Sequence, residues 1–208
     1  MSQRILLASS NSKKLAELQS LCEGLDIDIL SLSDIDADLP DVIEDGDDFL
    51  ANASKKALEF CDFTSKHLGD DVWTLADDSG LCVDYLDGSP GIYSARYAGD
   101  DSPQRDQSNN DKLLKEMQNA TGDQRKATFW CVIAVAHQGQ VLFAVEGSVN
   151  GNILHEADGE GGFGYDPVFY HVESASSFSS LTPEEKSRVS HRGQAIARLR
   201  NVLESVAK

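Results

Sequence analysis

The sequence is poor in basic residues, with 18 lysines and arginines against 35 aspartates and glutamates and a formal net charge of −17. A surface of this charge repels polyanions over most of its area, so we expect no nonspecific binding of nucleic acid. A small polyanion can still bind where the few basic side chains, helix N-termini and a divalent cation are concentrated. The positions of the lysines and arginines are therefore informative.

The sequence also lacks any apolar run near the roughly 20 residues needed to span a bilayer. We therefore expect no membrane segment and no membrane partner. The N-terminal stretch MSQRILLASSNSKK carries one early arginine, and its short apolar part runs into Ser-Asn-Ser where a secretory signal would have a small-residue cleavage site. We interpret this stretch as the first strand of a cytoplasmic protein.

Cysteines are few, and the four present, Cys22, Cys61, Cys82 and Cys131, are widely spaced among apolar neighbours. None belongs to a CxxC pair of the kind that zinc and redox sites use. The histidines are scattered as well, without the HxH or HExxH spacing of a zinc site. We expect reduced cysteines in the core and no zinc.

The 208 residues, 40% of them hydrophobic, are enough for one substantial α/β folding unit, and we expect a single domain over residues 1–208. Short apolar runs predict strands, and apolar residues at helical spacing predict helices. The predicted strands lie at residues 4–9, 26–30, 72–76 and 81–86, with a hairpin formed by 127–136 and 141–149. Helices are expected after Ser9-Ser10-Asn11, after caps at Asp48, Ser102 and Thr182, and at the C-terminal end.

The stretch TLADDSGLCVD places Asp77 and Asp78 side by side between an apolar run and a Ser-Gly pair. Aspartate before Ser-Gly can form a turn at a strand end, because it hydrogen-bonds its own backbone. The alternative is a metal site or a general base. Side chains alternate along a strand, so if the strand continues here only one aspartate needs to face the site. We favour Asp78 for that site and Asp77 for a supporting role.

Three other segments gather polar side chains, and each has a structural alternative. Ser9, Ser10, Asn11, Lys13 and Lys14 stand at a predicted helix N-terminus, where they can bind phosphate or serve as cap and solvated surface. The segment FGYDP, residues 163–167, can stack a nucleobase or anchor a loop on the core. Lys186, His191 and Arg192, near a helix junction, can contact a carbonyl or phosphate oxygen or form an exposed face.

Five segments carry a resemblance to a known family when taken in chain order. They are SNSKKLAE, which matches S-N-x-x-K-x-x-E, and then LADDSGL, GSPGIYSARYAG, GGFGYDP and EKSRVSHRGQA. With these motifs the chain resembles the inosine triphosphate pyrophosphatase family over nearly all of its length. One segment alone is a weak match, but five in register are specific.

The resemblance implies an α/β fold with an elongated mixed β-sheet flanked by helices and two lobes around a central nucleotide-binding cleft. It also implies a homodimer that requires Mg²⁺. The implied enzyme hydrolyses the nucleoside triphosphates ITP, dITP and XTP to the monophosphate and pyrophosphate, which removes deaminated purines from the nucleotide pool.

The matching motifs imply roles for individual residues. Asp78 would bind the metal and accept a proton, and Lys14 would act with it in catalysis. The triphosphate would be held by Ser9, Ser10, Asn11, Ser12, Lys13 and Lys14, and Ser79 would contact the substrate. The nucleobase pocket would be lined by Phe163, Gly164, Tyr165, Asp166, Lys186, His191 and Arg192.

One position departs from the family pattern. The second helix of the family usually reads F-x-E-N-A-x-x-K-A, with its glutamate as a metal ligand, whereas FLANASKKA has Ala51 in that place. Glu44, Asp47 or Asp48 of the acidic loop, residues 34–48, could supply the carboxylate. Two alternatives to the hydrolase therefore stay open: a nucleotide-binding or sensing protein with weak turnover, and a related pyrophosphatase with a different base preference.

Overall fold

The computed structural model describes residues 2–206, and within them the side chains of Lys13, Leu21 and Val206 are outside the description. The strands are β1 (Gln3–Leu7), β2 (Ile27–Ser31), β3 (Trp73–Val83), β4 (Lys126–His137), β5 (Gln140–Ile153), β6 (Phe169–His171) and β7 (Ser176–Ser177). The α-helices are α1 (Ser12–Leu21), α2 (Phe49–Leu68), α3 (Arg105–Glu116), α4 (Pro183–Val189) and α5 (His191–Val206).

The strands form one mixed sheet in the order β2-β1-β3-β4-β5-β6-β7. β1 pairs in parallel with β2 and β3, whereas β6 pairs antiparallel with β5 and β7. Parallel neighbours need a crossover connection, which α1 provides between β1 and β2. The expected α/β fold with a mixed sheet and flanking helices is confirmed.

Local signals in the sequence account for several element ends. Gln138 and Gly139 join β4 to β5 with positive φ angles of 49° and 71°, the signs of a two-residue hairpin turn. Asp48 caps α2 by accepting a hydrogen bond from Ala51 N at 2.7 Å. Thr182 and Glu185 form a reciprocal capping box at the start of α4. The predicted hairpin and both caps are confirmed.

Two local predictions are wrong. The strands expected at 72–76 and 81–86 are one strand, β3, which ends at Val83, and Asp84–Leu86 form a 3₁₀ turn. Asp77 and Asp78 therefore lie inside a strand and not in a turn at its end. Helix α3 begins at Arg105 and not directly after a Ser102 cap. The Ser102 hydroxyl instead accepts a hydrogen bond from Gln104 N at 3.2 Å, which makes a turn that precedes the helix.

The chain divides into two compact units. The first contains residues up to Asp78, Cys131–Gly147 and the chain from Gln194 onward, and the second contains Ser79–Trp130 and Ser148–Gly193. The expectation that residues 1–208 fold as one domain stays a prediction.

The first unit has two clusters of buried apolar side chains. One packs α2 through Ala53, Ala57 and Phe60, and the other packs α5 through Ile196 and Leu199. Ala76 belongs to the α2 cluster and Leu75 to the α5 cluster, so successive residues of β3 face opposite clusters. This alternation decides where the next two residues of the strand, both aspartates, can point.

The second unit has its own core. It is dominated by aromatic rings that pack against one another, among them Phe129, Phe169 and Phe178, together with Leu113 and Met117 of the α3 region. This core supports the loops that follow β5 and α4.

Three of the four cysteines lie in the core as expected, whereas Cys82 is only partly buried. All four cysteines carry free thiols, and Cys22, Cys61 and Cys131 are buried. Among the helices of residues 2–206, we find none with the length and apolar character to cross a membrane.

Candidate active site

The two aspartates of β3 are buried, and their side chains have different partners. Lys14 Nζ lies 2.8 Å from both carboxylate oxygens of Asp77, and Asn52 Nδ2 donates to Asp78 Oδ2 at 3.1 Å. Lys14 belongs to α1 and Asn52 to α2, which confirms that the two aspartates point in opposite directions. Buried carboxylates are costly unless they are paired, so each of these contacts stabilises the strand.

Asn52 orients the Asp78 carboxylate. It is fully buried near the start of α2, and its Oδ1 accepts a hydrogen bond from Gly46 N at 2.8 Å. The amide therefore connects the acidic loop to β3 and turns its NH₂ group toward Asp78. We did not predict Asn52 as a site residue, although it matches the family motif around Ala51.

Lys56 brings Glu44 of the acidic loop to the same strand. Its Nζ donates to the backbone carbonyl of Asp77 at 3.0 Å and forms an ion pair with Glu44. Glu44 therefore lies near Asp77, the residue that precedes Asp78 in β3. In the sequence, Lys56 matches the lysine of the family pattern F-x-E-N-A-x-x-K-A, and this match could have indicated that its side chain belongs to the site.

Segment 9–14 forms the N-terminus of α1. Ser9 Oγ accepts from Asn11 N, and Asn11 Oδ1 accepts from Lys14 N, both at 3.3 Å, so these side chains act as caps. Ser10 is exposed and Ser12 is the first helical residue, while the side chain of Lys13 is outside the described part of the chain. Capping and phosphate binding are compatible here, because amide groups of the first turn still point out of the helix.

The carboxylates of the first unit suit a hard cation. Mg²⁺ takes oxygen ligands and is commonly held by one or two carboxylates, with water and substrate phosphates completing its shell. Asp78 and Glu44 are the candidate carboxylates: Asp78 accepts from the neutral Asn52 amide and Glu44 pairs with Lys56, whereas Lys14 lies against both oxygens of Asp77. Among the described residues no cluster of three or more His, Cys, Asp or Glu side chains is found.

In the second unit, Asp166 organises the loop GGFGYDP. It is 2% exposed, and its Oδ2 accepts from Phe163 N at 2.8 Å and from Lys186 Nζ at 2.5 Å. Gly162 (φ +79°) is required at its place, because a Cβ there would lie 2.2 Å from Asp166 Oδ2. The loop therefore folds around the buried Asp166 carboxylate, which Phe163 N and Gly162 both contact.

Two cations lie over the ring of Phe163. Lys186 Nζ is 4.2 Å from the ring centroid, and Arg192 Cζ is 5.5 Å from it. Both distances are within the range of cation–π contacts. An aromatic ring and two hydrogen-bond donors are thus held together, which is what recognition of a planar, carbonyl-bearing ligand needs.

His191 and Tyr165 are two further predicted base-pocket residues, and both are buried. The ring of His191 stacks on Phe129 with centroids 4.6 Å apart and planes at 11°. Tyr165 is 4% exposed and donates its hydroxyl to Ser94 O at 2.9 Å; burial raises the pKa of this phenol far above its usual range. Tyr165 is therefore a neutral loop anchor. Ser79 follows Asp78 in β3 and is half-buried.

Comparison with known proteins gives consistent results. The Ham1 family model matches residues 5–202. A dITP/XTP pyrophosphatase of Clostridium perfringens is 44% identical over 207 residues, covering 99% of this chain and 100% of that protein. One of Desulfotalea psychrophila is 46% identical over 196 residues, covering 94% of this chain and 83% of that protein.

Solved structures agree with the sequence matches. A HAM1 protein from Coxiella burnetii superposes with a TM-score of 0.86 at 36% identity, covering 99% of this chain and all of that one. A nucleoside-triphosphatase, dITP/XTP pyrophosphatase, from Mycobacterium abscessus gives a TM-score of 0.73 at 39% identity, covering 94% of this chain and 97% of that one. The chain therefore belongs to the Ham1 family.

Proposed function

We propose that this protein hydrolyses ITP, dITP and XTP to the nucleoside monophosphate and pyrophosphate. The observation that carries the proposal is the pair of buried aspartates in β3, of which Asp77 is engaged by Lys14 and Asp78 is oriented by an amide. The names of the relatives, dITP/XTP pyrophosphatases, support the same reaction. Cleavage falls between the α- and β-phosphorus atoms, and we propose that water attacks the α-phosphorus, so that its oxygen enters the monophosphate and pyrophosphate departs.

The first unit is proposed to act on the phosphates. Asp78 orients the attacking water and accepts its proton, and Asn52 keeps that carboxylate in place. The N-terminus of α1 and Lys14 bind phosphate oxygens and compensate the charge that moves onto the departing pyrophosphate. Asp78 and Glu44 are proposed to hold Mg²⁺, which, when bound, polarises the phosphoryl group and neutralises its charge.

The second unit is proposed to bind the base. The Phe163 ring stacks on the purine, and Lys186 or Arg192 donates to the carbonyl at position six of hypoxanthine or xanthine. Adenine has an amino group there and would leave buried donors unpaired, a penalty that disfavours ATP. Guanine shares the carbonyl, so its exclusion depends on contacts near its two-amino group.

A substrate panel tests this function. The purified protein is incubated with Mg²⁺ and ITP, XTP, dITP, ATP, GTP or dTTP, and pyrophosphate and orthophosphate are quantified separately. We expect pyrophosphate from ITP, dITP and XTP. Orthophosphate alone would contradict the proposed bond, binding of ITP without turnover would indicate a sensor, and a preference for dTTP would indicate a different base specificity.

The assembly and location of the protein are part of the same proposal. We propose a cytoplasmic homodimer in which residues 1–208 form one domain. Light scattering on a sizing column gives the mass, which we expect to be twice the 22.6 kDa of one chain. A mass of one chain at micromolar concentration would contradict the dimer without bearing on the reaction.

A further inference from the structure

Helix α3 holds both backbone polar groups of Gly164. Asp106 Oδ2 accepts from Gly164 N at 2.7 Å, and Asn110 Nδ2 donates to Gly164 O at 3.0 Å. The two side chains are four residues apart, so they stand on one face of the helix, one turn apart. We call Asp106 and Asn110 the anchor pair.

Gly164 occupies a sensitive point of the base-binding loop. It has a φ of +59° and lies between Phe163, whose ring carries the two cations, and the segment that leads to buried Asp166. Rotation of the Gly164 backbone would move the Phe163 ring relative to Lys186. The anchor pair fixes this peptide from outside the loop, since α3 is more than 40 residues away along the chain.

The two side chains of the anchor pair differ in their other contacts. The second oxygen of Asp106, Oδ1, lies 3.8 Å from Arg105 Nε in an ion pair. Asn110 is 4% exposed, and its Oδ1 has no hydrogen-bond partner among the residues that the structure describes. A buried acceptor without a partner is unfavourable, so the amide is a poor choice for packing alone. The hydrogen bond from its NH₂ group to the Gly164 carbonyl accounts for an amide at this position.

We propose that Asp106 and Asn110 are positioning residues for base selection, acting through Gly164 on the Phe163 ring and the Asp166–Lys186 pair. The inference rests on the proposed function, because it assigns a role within its base-binding half. The anchor pair touches the loop and not the substrate, so its loss changes recognition of the base without removing a group that contacts phosphate.

The test compares Asp106→Ala and Asn110→Ala with the matched control Asp111→Ala. Asp111 is an exposed carboxylate of the same helix and accepts from Gln107 Nε2 at 2.8 Å, so the control removes the same charge and a similar contact. Asp106→Asn, which keeps an acceptor oxygen, is the conservative variant. The readouts are KM for ITP and the ratio of kcat/KM for ITP to that for ATP, both independent of the folded fraction.

We expect Asp106→Ala and Asn110→Ala each to raise KM for ITP and lower the ITP-to-ATP ratio by about tenfold, the scale of one lost hydrogen bond in a charged or buried contact. Asp106→Asn should recover part of the ratio, and Asp111→Ala should match the unmodified protein. Unchanged KM and ratio in both alanine variants would overturn the inference.

A second measurement separates this inference from the proposed function. Amide hydrogen exchange at Gly164 should accelerate in Asp106→Ala and stay unchanged in Asp111→Ala, whatever the substrate. If the unmodified protein releases no pyrophosphate from ITP, the proposed function is wrong. The role of the anchor pair in base selection is then wrong too, even if hydrogen exchange confirms that Asp106 binds Gly164 N. If ITP is hydrolysed but exchange and KM do not respond, only the inference fails.

Discussion

Lys14 Nζ is equidistant, at 2.8 Å, from the two carboxylate oxygens of Asp77, while the adjacent Asp78 turns to the opposite side of β3. The lysine side chain is 21% exposed and the aspartate side chain 7%. One cation thus stabilises a buried carboxylate in the strand that also presents the proposed general base.

Replacing Lys14 by Met should destabilise the first unit by about 2 kcal/mol, because it removes the charged partner of buried Asp77. Denaturation in urea measures this change. The double variant Lys14→Met with Asp77→Asn should regain most of the lost free energy of unfolding, since no unpaired charge remains. A double variant as unstable as Lys14→Met would show that the ion pair is not the cause.

Replacing Asn52 by Ala should lower kcat/KM for ITP by about 10- to 100-fold, the range for losing a residue that orients a catalytic carboxylate. The reason is that Asp78 loses the donor that fixes its Oδ2. Lys55→Ala, on the exposed face of α2, is the control and should leave the rate unchanged. Equal values of kcat/KM for Asn52→Ala and the control would show that Asn52 does not contribute to catalysis.

Glu44→Gln should raise the Mg²⁺ concentration for half-maximal activity by about tenfold, because one of two proposed carboxylate ligands is lost. Asp45→Asn makes the same charge change one residue away, on an exposed side chain that pairs with half-buried Lys55. Titration of activity with Mg²⁺ compares them. Equal shifts of this Mg²⁺ concentration in the two variants would show that the effect comes from the charge of the loop. Glu44 would then not replace the glutamate that the family has at the position of Ala51.

The capping box of α4 should make the start of this helix sensitive to acid. Hydrogen bonds from the Thr182 backbone and side chain lower the pKa of Glu185 below its usual 4.5. The unfolded chain therefore binds the proton more readily, so the cap contributes fully above pH 4.5 and is lost as pH falls through the lower folded value. The protection factors of the α4 amides, which are corrected for the intrinsic pH dependence of exchange, should fall over that window, but not in Glu185→Gln, whose amide cannot titrate.

The sequence predicted contacts that follow from local rules and missed those that depend on distant partners. Alternation along β3 was enough to separate Asp77 from Asp78. The Ser102 cap failed because a serine before proline can form a turn as readily as a helix start. Glu44 and the motif residue Lys56 were each visible in the sequence, but their contact was not predicted. The anchor pair on Gly164 was not predicted either, since both contacts join segments whose proximity only the folded chain determines.

Hydrolysis of ITP in H₂¹⁸O, by the unmodified protein and by Asp78→Asn, tests whether Asp78 directs water onto the α-phosphorus. Water that attacks the α-phosphorus leaves its oxygen in the monophosphate, so mass spectrometry should find the label in IMP and none in pyrophosphate. The Asp78→Asn variant should retain its fold and lose turnover. Label in pyrophosphate or orthophosphate, or a full rate in Asp78→Asn, would contradict the account.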